Sequence, residues 1–280
     1  LAVSLNLITG FTGQFSLGHA GFMSVGAYAC ALVTLRVPGL GGFLLGILAG
    51  SFAAAILGVL VGLPTLRLRG DYLAIATLGF SEIIRIIFTN MKITNGAAGL
   101  NNIPQHLDWT AMFICTAATV LIIRAFIRSS YGRSCIAIRE DEIAAEAMGV
   151  NTTKFKVLAF ATGAFFAGLG GAMFASYYYF LKPDTFGFLK SIDILVIVVL
   201  GGMGSISGSI VSALFLGLIS IFLQSVAELR MVIYAVLLVA IMLFRPQGLM
   251  GTRELSIPML KETGAKIIHF FKNLTRKEKA

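Results

Sequence analysis

The sequence predicts an all-α fold: a polytopic transmembrane helical bundle of about 8–9 membrane segments, with an inverted repeat. Three observations carry this. Only 12% of the 280 residues are charged, about half the share of a soluble domain. Hydrophobic residues make up 57%, and the mean hydropathy is +0.89. Apolar runs of about 20 residues recur, each long enough to cross the hydrocarbon core as a helix. The runs are continuous and lack the alternation of a membrane β-barrel. Because lipid cannot satisfy open backbone groups, they are helices.

To within a few residues the segments are 1–9, 15–36, 41–63, 71–91, 108–127, 155–181, 188–202, 205–226 and 229–245. The first, AVSLNLITG, is half a span behind Leu1; the start reads as truncated, with no signal-peptide pattern. Segment 15–36 opens with polar residues and reads as a broken helix. Segments 41–63, 108–127 and 155–181 are plain apolar crossings, whereas 71–91 carries Glu82 and Arg85. A Gly-rich run at 201–208 separates 188–202 from 205–226. Residues 1–250 thus form the membrane domain and 251–280 a basic tail. The tail's KIIHFFKNLTRKEKA reads as a short interfacial helix on anionic headgroups, or as a frayed end.

The Lys and Arg placement orients the chain. With the C-terminus in the cytoplasm, the inner loops hold Arg67, Arg69, Arg128, Arg133, Arg139, Lys154 and Lys156, and the tail adds eight more. The outer loops hold five: Arg36, Lys92, Lys182, Lys190 and Arg230. That bias fits the positive-inside rule, although the tail supplies half of it. The net charge of +9 therefore reports topology and contact with membrane lipid, not nucleic-acid binding. Cys30 and Cys115 fall in apolar spans and Cys135 in a polar loop; all three read as free thiols without metal spacing. His19, His106 and His269 are far apart. No HExxH, GxSxG or GxxxxGK[ST] occurs, so the chain has no catalytic set, metal site or cofactor, and no nucleotide motif of its own.

Four features could carry function. Gly10, Gly13 and Ser16 match Gly201, Gly204 and Ser207 as GxxGxxS, each followed by a small-residue helix. Gly-interrupted segments in two halves point to a central path in proteins built from repeats; the alternative is close helix packing through small residues. His19, in FSLGHAGF, reads as a helix-end histidine or a solute contact. Glu82 and Arg85 share a helix face at i,i+3. They read as a path lining or proton relay, or as a structural ion pair near the outer surface. The fourth feature is the segment at about 131–149. Arg139, Glu140, Asp141, Glu142 and Glu146 alternate there with apolar residues, and positions 136, 143, 144, 147 and 148 form one helical stripe. Gly149 supplies the C-terminal stop, and Asn151 opens the next span. An amphipathic helix between two spans suits a groove on a cytoplasmic partner. Its acids oppose the other reading, a helix lying on the anionic leaflet.

The strings GFTGQFSLGHAGFMSVGAY, LRLRGDYLAIATLGFSEIIR, NGAAGL, REDEIAAEAMGVNTTKFKVLAF, GGMGSISG and LFRPQGL occur in order over about residues 5–250. With them the chain resembles the LivM-type permease subunits of bacterial branched-chain amino acid ABC transporters. The resemblance implies a non-catalytic, multi-pass subunit of the bacterial inner membrane. Its implied partners are a second, related permease subunit, two cytoplasmic ABC ATPase subunits and an extracytoplasmic substrate-binding protein. It also implies that the segment from Glu142 to Gly149 is the coupling helix that docks on the ATPases. The spacing there departs from the common EAAxxxG order. Relatives on the same scaffold move urea, short amides or other amino acids. A rival of another class is a proton-coupled secondary transporter using Glu82.

Overall fold

The computed structural model describes residues 1–65, 68, 70–178, 180–222, 232, 233, 236, 239, 243 and 248–251. Arg67 and Arg69, most of segment 229–245, most of LFRPQGL and the tail from 252 lie outside the described residues. The helices are α1 (Ala2–Thr12), α2 (His19–Arg36), α3 (Leu40–Thr65), α4 (Asp71–Asn90), α5 (Trp109–Arg128), α6 (Ser130–Glu140), α7 (Glu142–Ala147), α8 (Thr152–Tyr178), α9 (Phe188–Gly201) and α10 (Ile206–Phe222). Every apolar segment predicted before residue 222 has become a helix. By length and composition α3, α4, α5 and α8 can each cross a membrane, and α1 and α10 are shorter apolar helices. The protein is a multi-pass helical membrane bundle.

The centre is α2, α3 and α8, and glycine spacing explains why these three come together. In α3, Gly42, Gly46, Gly50, Ala54 and Gly58 recur every fourth residue, a small stripe along one face. Leu44, Leu48, Phe52, Ile56 and Leu60 line the opposite face and are all more than half exposed, as expected where lipid is the solvent. The small face lets backbones touch: a Cβ on Gly50 would meet Gly26 O at 2.5 Å, and one on Gly168 would meet Ala54 Cβ at 2.5 Å. Without a hydrophobic force between helices in lipid, such close packing is the main source of association. Phe22 and Phe160 meet edge to face at 5.6 Å above it.

The bundle has two distinct ends. At one, loops 91–108 and 180–187 are tied by an antiparallel bridge between Leu100 and Leu181, with N–H···O distances of 2.9 Å both ways. Buried Tyr28 stacks on Phe88 at 4.4 Å beneath this loop end. At the other, the arm end, α6 and α7 project between α5 and α8.

The arm differs from the single helix expected over 131–149. It is broken at Asp141, whose backbone is extended (φ −154, ψ 109). Its carboxylate accepts the N–H groups of Ile143 and Ala144 at 2.9 and 3.0 Å. An Asp in β conformation that captures the first free amides is an N-cap, so the charge read as a surface acid starts a second helix. The stop at Gly149 is as expected: φ is +86, and Val150 N–H bonds to Ala145 O at 3.0 Å, a Schellman closure. Asn151 then caps α8 by accepting Lys154 N–H at 3.0 Å. All three cysteines are free; Cys135 lies in α6 rather than a loop, 1% exposed.

Gly50→Val is expected to lower the melting temperature in detergent, with a cost of about 1–3 kcal/mol from overpacking. Gly79→Ala, where an added Cβ meets nothing within 4 Å, is expected to leave it unchanged or raise it. Equal melting temperatures for the two variants would remove the glycine stripe as the packing determinant.

Candidate functional site

Two helix breaks face each other inside the bundle. The first follows α1. Gly13 adopts a left-handed conformation (φ 69), and the chain runs without helix to His19. Backbone groups buried here must find partners. Leu17 N–H donates to Thr77 Oγ1 at 3.1 Å, Gly18 N–H to Ser16 Oγ at 3.4 Å and Ala20 N–H to Ser191 Oγ at 3.3 Å. Buried His19 places Nε2 2.8 Å from Ser4 Oγ. Ser4 gives its own proton to Leu1 O at 2.7 Å, so the imidazole donates from Nε2.

The second break separates α9 from α10. Gly202 and Gly204 have φ of 109 and 92. Across from it, Asn6 of α1 is fully buried. Its carbonyl accepts Gly204 N–H at 2.9 Å. Its amide donates to Ser205 O and Ser209 Oγ, both at 2.8 Å. One side chain thus satisfies the turn on both sides. Gly10, one helical turn further along α1, has no room for a side chain between Asn6 and Gly204. Ser207 Oγ lies 3.2 Å from Ser205 Oγ. Gly201 packs on Gly208, where a Cβ would meet Gly208 O at 2.5 Å.

Arg139, at the end of α6, closes the arrangement. Its Nη1 donates to Gly10 O at 2.7 Å. That carbonyl belongs to the last turn of α1, where acceptors lack helical partners and the dipole favours a cation. A Cβ on Gly204 would lie 2.8 Å from Arg139 Nη1, and one on Gly13 3.1 Å from Arg139 Cγ. Glu140 pairs with the guanidinium on its outer side. The fold therefore gathers Gly10, Gly13, Gly204 and Arg139 at one point where the arm meets both breaks.

The other predicted residues divide. Glu142 is half-buried and accepts from Lys156 Nζ at 2.6 Å, tying α7 to α8. Glu140, Asp141, Glu146 and Gly149 are exposed. So are Ile143 and Met148, at 74% and 83%, which leaves the tip of the arm apolar with acids around it. Glu82 and Arg85 are remote from the breaks. Arg85 donates to Glu82 at 2.7 Å and to Asp184 at 2.9 Å, so the pair fastens α4 to the loop end. Gly187, at the start of α9, is beside it. The 14 residues of α9 then put about 21 Å between this cluster and the second break.

Asn6, Thr77 and Ser191 were not singled out in the sequence, and Lys156 counted there only as an inner-loop charge. The one signal for Asn6 was a lone amide in an apolar run, spaced four residues before Gly10.

A multi-pass helical bundle with paired helix breaks has the architecture of membrane proteins built for solute passage. Residues 1–242 match the family described as branched-chain amino acid transport system / permease component. Two LivM proteins, each named a high-affinity branched-chain amino acid transport system permease protein, are similar to the chain. That of Salmonella typhimurium is 37% identical and that of Escherichia coli 36%; each alignment covers 93% of this chain and 68% of the relative. The permease protein BraD of Pseudomonas aeruginosa is 26% identical, with 91% of both chains covered. No solved structure matches. The chain belongs to the branched-chain amino acid permease family.

Asn6→Leu is expected to destabilise the bundle, because the buried Gly204 N–H loses the Asn6 carbonyl that accepts it, at about 1–3 kcal/mol. Thermal unfolding in detergent measures this, and a wild-type melting temperature would show that Asn6 does not hold the break.

Proposed function

We propose that the chain is the transmembrane permease subunit of an ATP-driven importer for branched-chain amino acids in the bacterial inner membrane. It forms the translocation path with a second, related permease subunit. Two cytoplasmic ATPase subunits drive it, and an extracytoplasmic binding protein delivers the solute. Catalysis of ATP hydrolysis belongs to the partners. The observation that carries this reading is the Arg139 contact: a residue of the projecting arm bonds directly to the broken end of α1.

The mechanism follows from that contact. The exposed tip of Ile143, Glu146 and Met148 fits a partner groove. When the ATPases close on ATP, the arm moves with them. Arg139 passes the displacement to Gly10 and thence to the Gly13 and Gly204 breaks, the points where helices can re-aim. A zwitterionic solute crossing a bilayer needs polar groups along its path, and broken helices place backbone and side-chain polar groups beside such a path. Work enters because the motor binds the two permease states unequally. Glu82 fits a structural role, since its carboxylate is engaged by Arg85, and a proton-relay reading lacks support.

Two tests separate docking from transmission. Ile143→Asp with Met148→Asp is expected to abolish co-purification of the ATPases. Arg139→Gln is expected to keep the complex and its ATP hydrolysis while uptake of leucine into proteoliposomes falls about tenfold, the scale of a charge-assisted hydrogen bond. Wild-type uptake by Arg139→Gln would refute transmission through this contact. Sidedness needs a new probe. Burial pushes the Cys135 thiol up to about 11, so it stays unreactive at neutral pH. Arg133→Cys, at an exposed position, is expected to label only from the cytoplasmic side, and labelling from outside would reverse the orientation.

A further inference from the structure

Beside the Arg139 contact, at the arm end, lies a cavity of about 250 Å³ among α1, α4, α6, α7 and α8. It is far larger than the space one water needs. Its polar lining carries both signs of charge: the guanidinium of Arg139, and the Lys156 ammonium paired with the Glu142 carboxylate at 2.6 Å. Lys156 is well buried, with 13% of its side chain exposed. Gln14 also lines it and is 3% exposed, yet neither its amide nitrogen nor its oxygen has a hydrogen-bond partner. Buried polar groups are nearly always satisfied, so an idle donor and acceptor side by side mark a place where a partner belongs. Leu73 and Ile138 add apolar wall.

We propose that this cavity is a binding site for a zwitterionic amino acid on the cytoplasmic side. The inference rests on the importer reading above, and adds to it a product site that slows the transporter when its cargo has accumulated. The chemistry is an exchange of partners. The Glu142–Lys156 pair is a carboxylate facing an ammonium, the same two charges an amino acid carries. An incoming zwitterion can place its ammonium against Glu142 and its carboxylate between Lys156 and Arg139, with no net charge buried. A branched aliphatic side chain has Leu73 and Ile138 to lie against. Occupancy has two consequences at the arm. The tie between α7 and α8 opens, and Arg139 acquires a second anion competing with its bond to Gly10. Both uncouple the arm from the breaks. A simple anion would displace Glu142 from Lys156 without supplying a new ammonium, and a simple cation would displace Lys156 from Glu142 without supplying a new carboxylate, so the site selects a molecule with both groups.

The reconstituted transporter with its ATPases and binding protein tests this. Leucine loaded inside the vesicles is expected to lower the initial rate of ATP-driven uptake. Leucinamide, without the carboxylate, and isocaproate, without the ammonium, are expected to inhibit about tenfold more weakly, the loss of one charge-assisted contact. Lys156→Gln is expected to weaken inhibition by internal leucine similarly, and Lys156→Arg to retain it. Wild-type uptake indifferent to internal leucine overturns the site while the importer reading stands. Equal inhibition by isocaproate overturns it in favour of a general anion site, such as one for a lipid phosphate. No ATP-driven leucine uptake at all counts against the importer reading. In that event the site is still tested on the purified chain, where leucine, but neither analogue, is expected to raise the melting temperature. Absence of that shift, or an equal shift with Lys156→Gln, removes the proposal.

Discussion

Non-helical backbone inside a membrane bundle has to be hydrogen-bonded by the protein itself, and this requirement organises the structure around α1. The value of α1 is positional. Its Asn6–Gly10 face meets the second break, its last carbonyls meet Arg139, and Ser4 holds His19 at the start of α2. The first break leans on Thr77 of α4 and Ser191 of α9. Each break is thus held by side chains from other elements, which is the condition under which irregular backbone survives at membrane depth. A break held this way has a defined shape, and whatever moves its supports moves it.

The supports are unequal. The α2, α3 and α8 core is locked by backbone contacts through glycines, where neighbours have no side chain to rearrange. The second break is held by Asn6 and by the Leu249 and Met250 N–H groups on Leu200 O and Gly201 O, and one guanidinium reaching from α6 holds the end of α1 beside it. Displacement of the arm therefore acts on a polar, re-pairable contact and not on the packed glycine stripe. The glycines at the two places do different things: Gly26, Gly50 and Gly168 allow approach, whereas Gly13 and Gly204 adopt positive φ.

Much of this was legible in the sequence, and the limits are physical. Apolar runs specified the helices because lipid enforces them. GxxGxxS located both breaks, since glycine clusters inside apolar segments leave few other readings, and i,i+3 spacing paired Glu82 with Arg85. What was not legible is partner choice over distance. Asn6 meets residues about two hundred positions away, and nothing local distinguishes it from any amide in an apolar run. Asp184, the third member of the Arg85 cluster, was hidden for the same reason. The arm shows a different limit. A helical stripe counts apolar positions, but an N-cap is decided by backbone conformation, so Asp141 read as one more surface acid. Nor does a stripe say which charges turn inward. Arg139 and Glu142 read as part of an exposed docking face, yet one bonds to α1 and the other to α8.

That inward turn explains why the arm is two helices. A single straight helix through 141 would continue the α6 axis and carry residues 142–148 onward along it. The extended residue at Asp141 frees the second helix to take its own direction. Arg139 can then stay against the breaks while Ile143 and Met148 face outward. Arginine suits the inner role better than lysine, because a planar guanidinium can donate to Gly10 O from one edge and pair with Glu140 from another, whereas an ammonium presents a single point of charge. The Glu142–Lys156 pair then anchors the start of the second helix to α8. The arm is consequently fixed at both ends of its bend by charged contacts, while buried Cys135 and Ile138 seat α6 on its neighbours. A connection of that kind can transmit force while remaining open to exchange with a small charged solute.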